Sequence, residues 1–151
     1  MSKVNMRLLL EQLARDDAYG CYSRQGLELV AWPRIAAKAK WVIFADIDDM
    51  HQLNTDLGYA EVDRRIREAL QVRASDVMAT GRYFSGDEIV WVISNGDPEG
   101  MISRLTKSLA KQNLSALFAF APVISKKLTE NVASAAARVQ EAKQARGRAG
   151  R

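Results

Sequence analysis

Trp41-Val42-Ile43-Phe44-Ala45-Asp46-Ile47-Asp48-Asp49 is an apolar run of strand length that ends by presenting several carboxylates. A second acidic cluster, Ser85-Gly86-Asp87-Glu88, lies between Arg82-Tyr83-Phe84 and Ile89-Val90-Trp91-Val92-Ile93. Carboxylates at the mouth of a buried strand are costly unless a cation meets them. A divalent metal is the obvious candidate. The glycine between two runs rich in β-branched and aromatic residues makes the second cluster read as the tip of a β-hairpin. Gly86 is expected to adopt backbone angles closed to other residues and to leave room for a bulky ligand. Hard oxygen ligands from two strands suit Mg²⁺ or Mn²⁺, with substrate phosphate oxygens completing the shell. Two ions held in this way could activate an attacking hydroxyl and stabilise a leaving oxygen, which is the chemistry of nucleotidyl transfer. Both clusters also fit solvated turns, because Asp and Gly are ordinary turn residues.

The 151 residues suffice for one domain with a real core, and a composition 48% hydrophobic and 26% charged is that of a soluble globular chain. No apolar run approaches the roughly 18 residues of a membrane span, and the N-terminus lacks a signal peptide's continuous apolar region. A cytoplasmic protein with no membrane partner is expected. One cysteine, Cys21, excludes an internal disulfide and a cysteine-rich zinc site, and one histidine, His51, excludes zinc held by several imidazoles. The net charge of +4 suits phosphate-bearing ligands. Much of that excess lies at Lys126, Lys127, Arg138, Lys143, Arg146, Arg148 and Arg151, a pattern more typical of a solvated face than of a nucleic-acid site.

Periodicity predicts an N-terminal amphipathic helix over 4–15, a helix from Ser23 to about Ala39 kinked or split at Pro33, and a strand over 41–46. A short helix from Asp49 to Leu57 ended by Gly58 follows, then a helix over 61–73. Val77–Phe84 and Ile89–Ser94 form the hairpin. The turn Asn95-Gly96-Asp97-Pro98 precedes a helix over 99–111, 116–123 is a strand, and 129–145 is a last helix before a Gly- and Arg-rich tail. These elements predict a mixed α/β sandwich, its central sheet partly antiparallel with helices packed on it.

Four blocks give this sequence a resemblance to GGDEF domains, the palm-like fold of diguanylate cyclases. Asp16-Asp17-Ala18-Tyr19-Gly20-Cys21-Tyr22-Ser23-Arg24 resembles the entry motif Asp-x-Leu-Thr-Gly-Leu-x-Asn-Arg. Phe44 to Tyr59 is similar to the metal strand and following helix, and Ser85-Gly86-Asp87-Glu88-Ile89 stands in the place of the Gly-Gly-Asp-Glu-Phe signature. Ala142-Lys143 with Gly147-Arg148 resembles the closing Ala-Lys-x-x-Gly-Arg. The resemblance implies one domain over 1–151, made of an N-terminal helix (1–15), a core (16–148) and a tail (149–151).

It also implies roles. Asp46, Asp87 and the Ile47 carbonyl would hold Mg²⁺ or Mn²⁺, and Asp87 and Glu88 would be catalytic, Glu88 close to an attacking 3′-hydroxyl. Asn54 and Asp63 would read guanine, with Ser85 and Gly86 lining the nucleotide and Lys143 and Arg148 meeting its phosphates. The implied reaction condenses two GTP into cyclic di-GMP across a transient homodimer. Departures leave alternatives open. Ser85 replaces the first signature glycine, which also fits a degenerate domain that binds GTP or cyclic di-GMP. Ile89 replaces the phenylalanine, and Val62 and His51 replace a usual glycine and lysine. Tyr83 to Glu88 would also suit a minimal palm cyclase that makes an adenine-containing cyclic dinucleotide. The extra residue in the closing motif lets Arg146 compete with Arg148. Arg73-Ala74-Ser75-Asp76 spells the Arg-x-x-Asp of an inhibitory site, but about three residues too far from the signature, so feedback binding is not expected.

Overall fold

The structure is a computed structural model that describes residues 2–149 apart from Arg73 and Asn95, with the side chains of Arg148 and Ala149 excluded. The expected roles of Arg73 and of the Arg148 side chain, and the tail residues Gly150 and Arg151, lie outside the described residues.

A six-stranded mixed sheet runs in the order β1-β2-β4-β5-β3-β6. Its strands are β1 (Arg15–Asp16), β2 (Cys21–Tyr22), β3 (Trp41–Ile47), β4 (Val77–Arg82), β5 (Glu88–Ile93) and β6 (Ala116–Pro122). Every neighbour pair is antiparallel except β2 and β4, which meet in parallel at Tyr22 and Gly81. The helices are α1 (Lys3–Leu13), α2, α3 (Met50–Leu57), α4 (Tyr59–Ala69), α5 (Pro98–Lys111) and α6 (Leu128–Ala149). α2 is assembled from Arg24–Gly26, a π-helical turn Leu27–Ala31, and Trp32–Ile35.

β3 and β5 are apolar at almost every position because both faces of the sheet are covered. Ile43, Ala45, Ile47, Ile89, Trp91 and Ile93 pack under α4 and α5 against Val62, Ile66, Met101 and Leu105. Their alternates Val42, Phe44, Val90 and Val92 pack against Leu27 and Trp32 of α2 and Leu128, Val132 and Val139 of α6. Cys21 is buried at the edge of the first layer.

The expected α/β sandwich with one hairpin is the observed architecture, with local differences. α2 does not break at Pro33. A proline ring removes an N–H and crowds the carbonyl four residues earlier, at Leu29, and the wider π turn around Leu29 absorbs that disturbance. α4 starts at Tyr59, directly after Gly58, whose φ of 82° lets one residue end α3 and open the next helix. α6 runs on through Gly147 to Ala149 instead of ending near Ala145. The small β1–β2 hairpin was not expected at all.

Candidate active site

β3 and β5 are paired so that Asp46 stands opposite Glu88. The main chain then closes the corner: Ile47 N–H donates to the Asp87 carbonyl at 2.8 Å, and Glu88 N–H donates to the Ser85 carbonyl at 3.2 Å. The turn from Ser85 to Glu88 is thereby folded over the end of β3. This brings Asp46, Ile47, Asp87, Glu88, Ser85 and Gly86 to one place, as their expected roles require.

Asp46 is 8% exposed and accepts a hydrogen bond from Lys143 Nζ at 2.5 Å. Burial pushes its carboxyl above the usual carboxylate range; the Lys143 ammonium opposes that rise, and repulsion from Asp87 adds to it. Glu88 is raised as well, chiefly by burial, with the Ser85 hydroxyl opposing and the charges of Asp46 and Asp87 adding. Lys143 is raised in turn, first by its hydrogen bond to Asp46. Asp46 and Glu88 therefore both feel the charge of Asp87, and Lys143, reaching in from α6, is the cation that meets Asp46.

Asp87 and Glu88 are occupied differently. The Ser85 hydroxyl donates to Asp87, and Ser85 Oγ lies 2.9 Å from Glu88 Oε1. Beside them Asp48 accepts from Ser115 Oγ at 2.7 Å and from Arg146 Nη1 at 3.1 Å. Arg146 thus takes a place at the mouth of β3. Among the described residues, no three His, Cys, Asp or Glu side chains are gathered closely enough to hold a metal ion as they stand. The donor chemistry nevertheless suits a hard divalent cation: carboxylate oxygens come from the end of β3 and from the turn that opens β5.

Gly86 corrects an expectation. It does not occupy the positive-φ region, unlike Gly20, Gly58 and Gly96. Space is what requires glycine here, because a Cβ would lie 2.8 Å from Arg82 Nη2. That guanidinium is fixed from two sides, by Asp16 Oδ2 at 2.8 Å and by the Tyr19 ring, 4.0 Å below it. Tyr19 also donates its phenolic O–H to the Gly86 carbonyl at 2.5 Å. Asp16, Tyr19 and Arg82 hold the turn in place and were missed as functional residues. The signal was present, since Asp16 and Tyr19 belong to the entry motif, but the motif by itself does not show what its side chains touch.

Asn54 lies near the end of α3 and Asp63 in α4, and the two helices pack together. The Asn54 Oδ1 is buried with no hydrogen-bond partner, the one such side-chain atom among the described residues. The charge of Asp63 acts on Tyr19 and Arg82, which places it on the same side as the entry hairpin. Val62, beside it, is fully buried in the layer under α4.

The chain matches no protein-family model and no curated protein. Solved structures do share its fold. The diguanylate cyclase SiaD of Pseudomonas aeruginosa, solved in complex with its activator SiaC, superposes with a TM-score of 0.68 at 18% identity, over 94% of this chain and 62% of that one. This chain therefore spans less than two thirds of SiaD's length. A microbial GGDEF domain solved with cyclic di-GMP gives 0.70 at 22% identity, over 91% of this chain and 94% of that one. A sensory box/GGDEF family protein from Caulobacter crescentus gives 0.65 at 18%, over 87% and 99%. At such identities the likeness carries the fold: a GGDEF-type mixed sheet with helices on both faces.

Proposed function

We propose that this chain, built on the GGDEF-type fold, is a nucleotidyl cyclase that condenses two GTP into cyclic di-GMP. The observation that carries the reading is the pairing that sets Asp46 opposite Glu88, with Asp87 in the adjoining turn, and Asp46 and Glu88 both raised above their ordinary values. Mutually repelling carboxylates at a strand mouth favour a cationic ligand, and a nucleotide triphosphate arrives with one. Asp46, Asp87 and the Ile47 carbonyl would hold Mg²⁺ or Mn²⁺, which supplies charge neutralisation at the transferred phosphoryl group. In the reaction the 3′-oxygen of one GTP bonds to the α-phosphorus of the other, the bond to the β-phosphate oxygen breaks, and pyrophosphate leaves. Glu88 takes the hydroxyl proton, a role suited to a carboxylate whose proton affinity is raised. Two such steps across two copies close the ring.

Asn54 and Asp63 are assigned to guanine. The unpartnered Asn54 Oδ1 is an acceptor waiting for a donor, and a buried group left unpaired discriminates strongly between bases. Lys143 is assigned to phosphate, which requires it to leave Asp46 when the nucleotide enters; Arg148 keeps its expected phosphate role as an assignment, with Arg146, which donates to Asp48, as its competitor. The test is incubation of the full chain with GTP and Mn²⁺, following pyrophosphate and cyclic dinucleotide by chromatography. Product that vanishes in Asp46→Asn and Asp87→Asn supports the reading, whereas consumption of ATP with GTP untouched sinks the guanine assignment.

A second reading is favoured by a specific observation: Ser85 ties up both Asp87 and Glu88. A domain so arranged binds GTP or cyclic di-GMP without turning it over. Calorimetric heat on adding GTP, with no pyrophosphate released, is its signature.

A further inference from the structure

Asp46, Asp48, Asp87 and Glu88 are each engaged by the chain itself. Lys143 donates to Asp46, Arg146 and Ser115 donate to Asp48, and Ser85 contacts both Asp87 and Glu88. The two basic residues stand one turn apart on α6. Val132, Ala135 and Val139 anchor that helix in the core, whereas no residue over 140–147 is buried. The end of α6 is therefore held to the sheet by charge instead of apolar packing. Its ion pair with Asp46 is also lopsided, because the Asp46 side chain is 11% exposed and the Lys143 side chain 41%. A carboxylate with so little water needs a cation wherever the lysine goes. The ammonium, on a flexible stem that already reaches solvent, can swing to water or to another anion at small cost.

We propose that Lys143 is a resident counter-ion whose ammonium takes the divalent cation's place at Asp46 and opposes metal binding until an incoming polyphosphate draws it away. Two cations at one carboxylate repel each other, so a bare metal ion has to evict the lysine. Phosphate oxygens offer the evicted ammonium a new partner, which offsets that cost. By linkage, metal and polyphosphate then strengthen each other's binding by the same factor. Asp46 lies under a positive charge throughout, the lysine's before the exchange and the metal's after it. The inference rests on the cyclase reading for the metal's place at Asp46 and adds to it the coupling between the two ligands. A merely structural ion pair would give no such coupling, since its loss would leave metal affinity unchanged or lower.

The test uses the metal alone. Mn²⁺ is titrated into the full chain without nucleotide, and the unbound ion is followed by its electron paramagnetic resonance signal. Lys143→Met, which keeps the apolar stem, and Lys143→Gln, which keeps a donor for Asp46, should both bind Mn²⁺ at least about tenfold more tightly than the wild type, with unchanged circular dichroism. Lys107→Gln, which removes an equal charge from an exposed position on α5, should bind as the wild type does. Asp46→Asn added to Lys143→Met should abolish the gain. No gain in either Lys143 variant, an equal gain in Lys107→Gln, or a gain that survives Asp46→Asn overturns the proposal. The gain in a protein that makes no cyclic dinucleotide from GTP defeats the cyclase reading and leaves this one standing. Cyclic dinucleotide from a protein whose Lys143 variants show no gain does the reverse.

Discussion

Ser85 links the two acids of the turn at the candidate site. Its hydroxyl contacts both Asp87 and Glu88, so the two acids are drawn onto their own loop. Ser85→Gly removes that contact without filling space. The expected outcome is a several-fold faster release of pyrophosphate from GTP and Mn²⁺; an unchanged or slower rate would show that the hydroxyl helps the reaction or plays no part in it. Tyr19 offers a second test. Its phenol is pushed up to about 12, mainly by burial, from an ordinary 10.0. The unfolded chain gives up that proton first, so the stabilising contribution is complete below pH 10, falls as pH rises from there, and is gone above about 12. Tyr19→Phe should lose about 1 kcal/mol at neutral pH for the missing hydrogen bond to Gly86. It should also show a shallower alkaline decline in melting temperature; two parallel declines would refute the assignment.

At the scale of elements, junctions carry more than the elements themselves. Gly26 lies so close to the end of α1 that a Cβ would sit 2.1 Å from the Ala14 carbonyl oxygen. Gly26→Ala must therefore push α1 and α2 apart, at an expected cost of about 1–3 kcal/mol in urea unfolding. Asn131 plays the same part at the start of α6. Its Oδ1 accepts from the Ile124 and Ser125 N–H groups, and its Nδ2 donates to the Ser125 and Lys127 carbonyls. Asn131→Ala leaves these part-buried groups without that partner and should cost about 1–3 kcal/mol; a loss below 1 kcal/mol would mean that water replaces the side chain.

Neither junction was legible in the sequence. Asn131 acts on main-chain groups, which have no side-chain signature, and Gly26 is dictated by an approach between segments rather than by a turn. β1 and β2, two residues each, are too short to show any alternation. β3 and the hairpin of β4 and β5 were legible because both faces of β3 and β5 are covered and acids stand directly at the end of β3 and the start of β5. The meeting of Asp46, Asp87 and Glu88 followed from that hairpin. Lys143 was singled out only by resemblance, and for phosphate; its contact with Asp46 was not expected, since no pattern links residues so far apart in the chain.

For the whole molecule, ligand binding should register as stability. Mn²⁺ with a non-hydrolysable GTP analogue at about a hundred times its dissociation constant contributes roughly 2.7 kcal/mol to the folded state. For a chain of this size, that raises the melting temperature by several degrees. The shift should disappear in Asp46→Asn; a shift that survives would place the ligand elsewhere. The buried Cys21 has a practical bearing on such work. Burial holds its thiol up at about 11, so at neutral pH it stays protonated and shielded from maleimides and other alkylating reagents. With no other cysteine in the chain, one introduced on the surface would be the sole labelled position. A spin label or fluorophore could then report the spacing between assembled copies without first stripping the native protein of its sulfur.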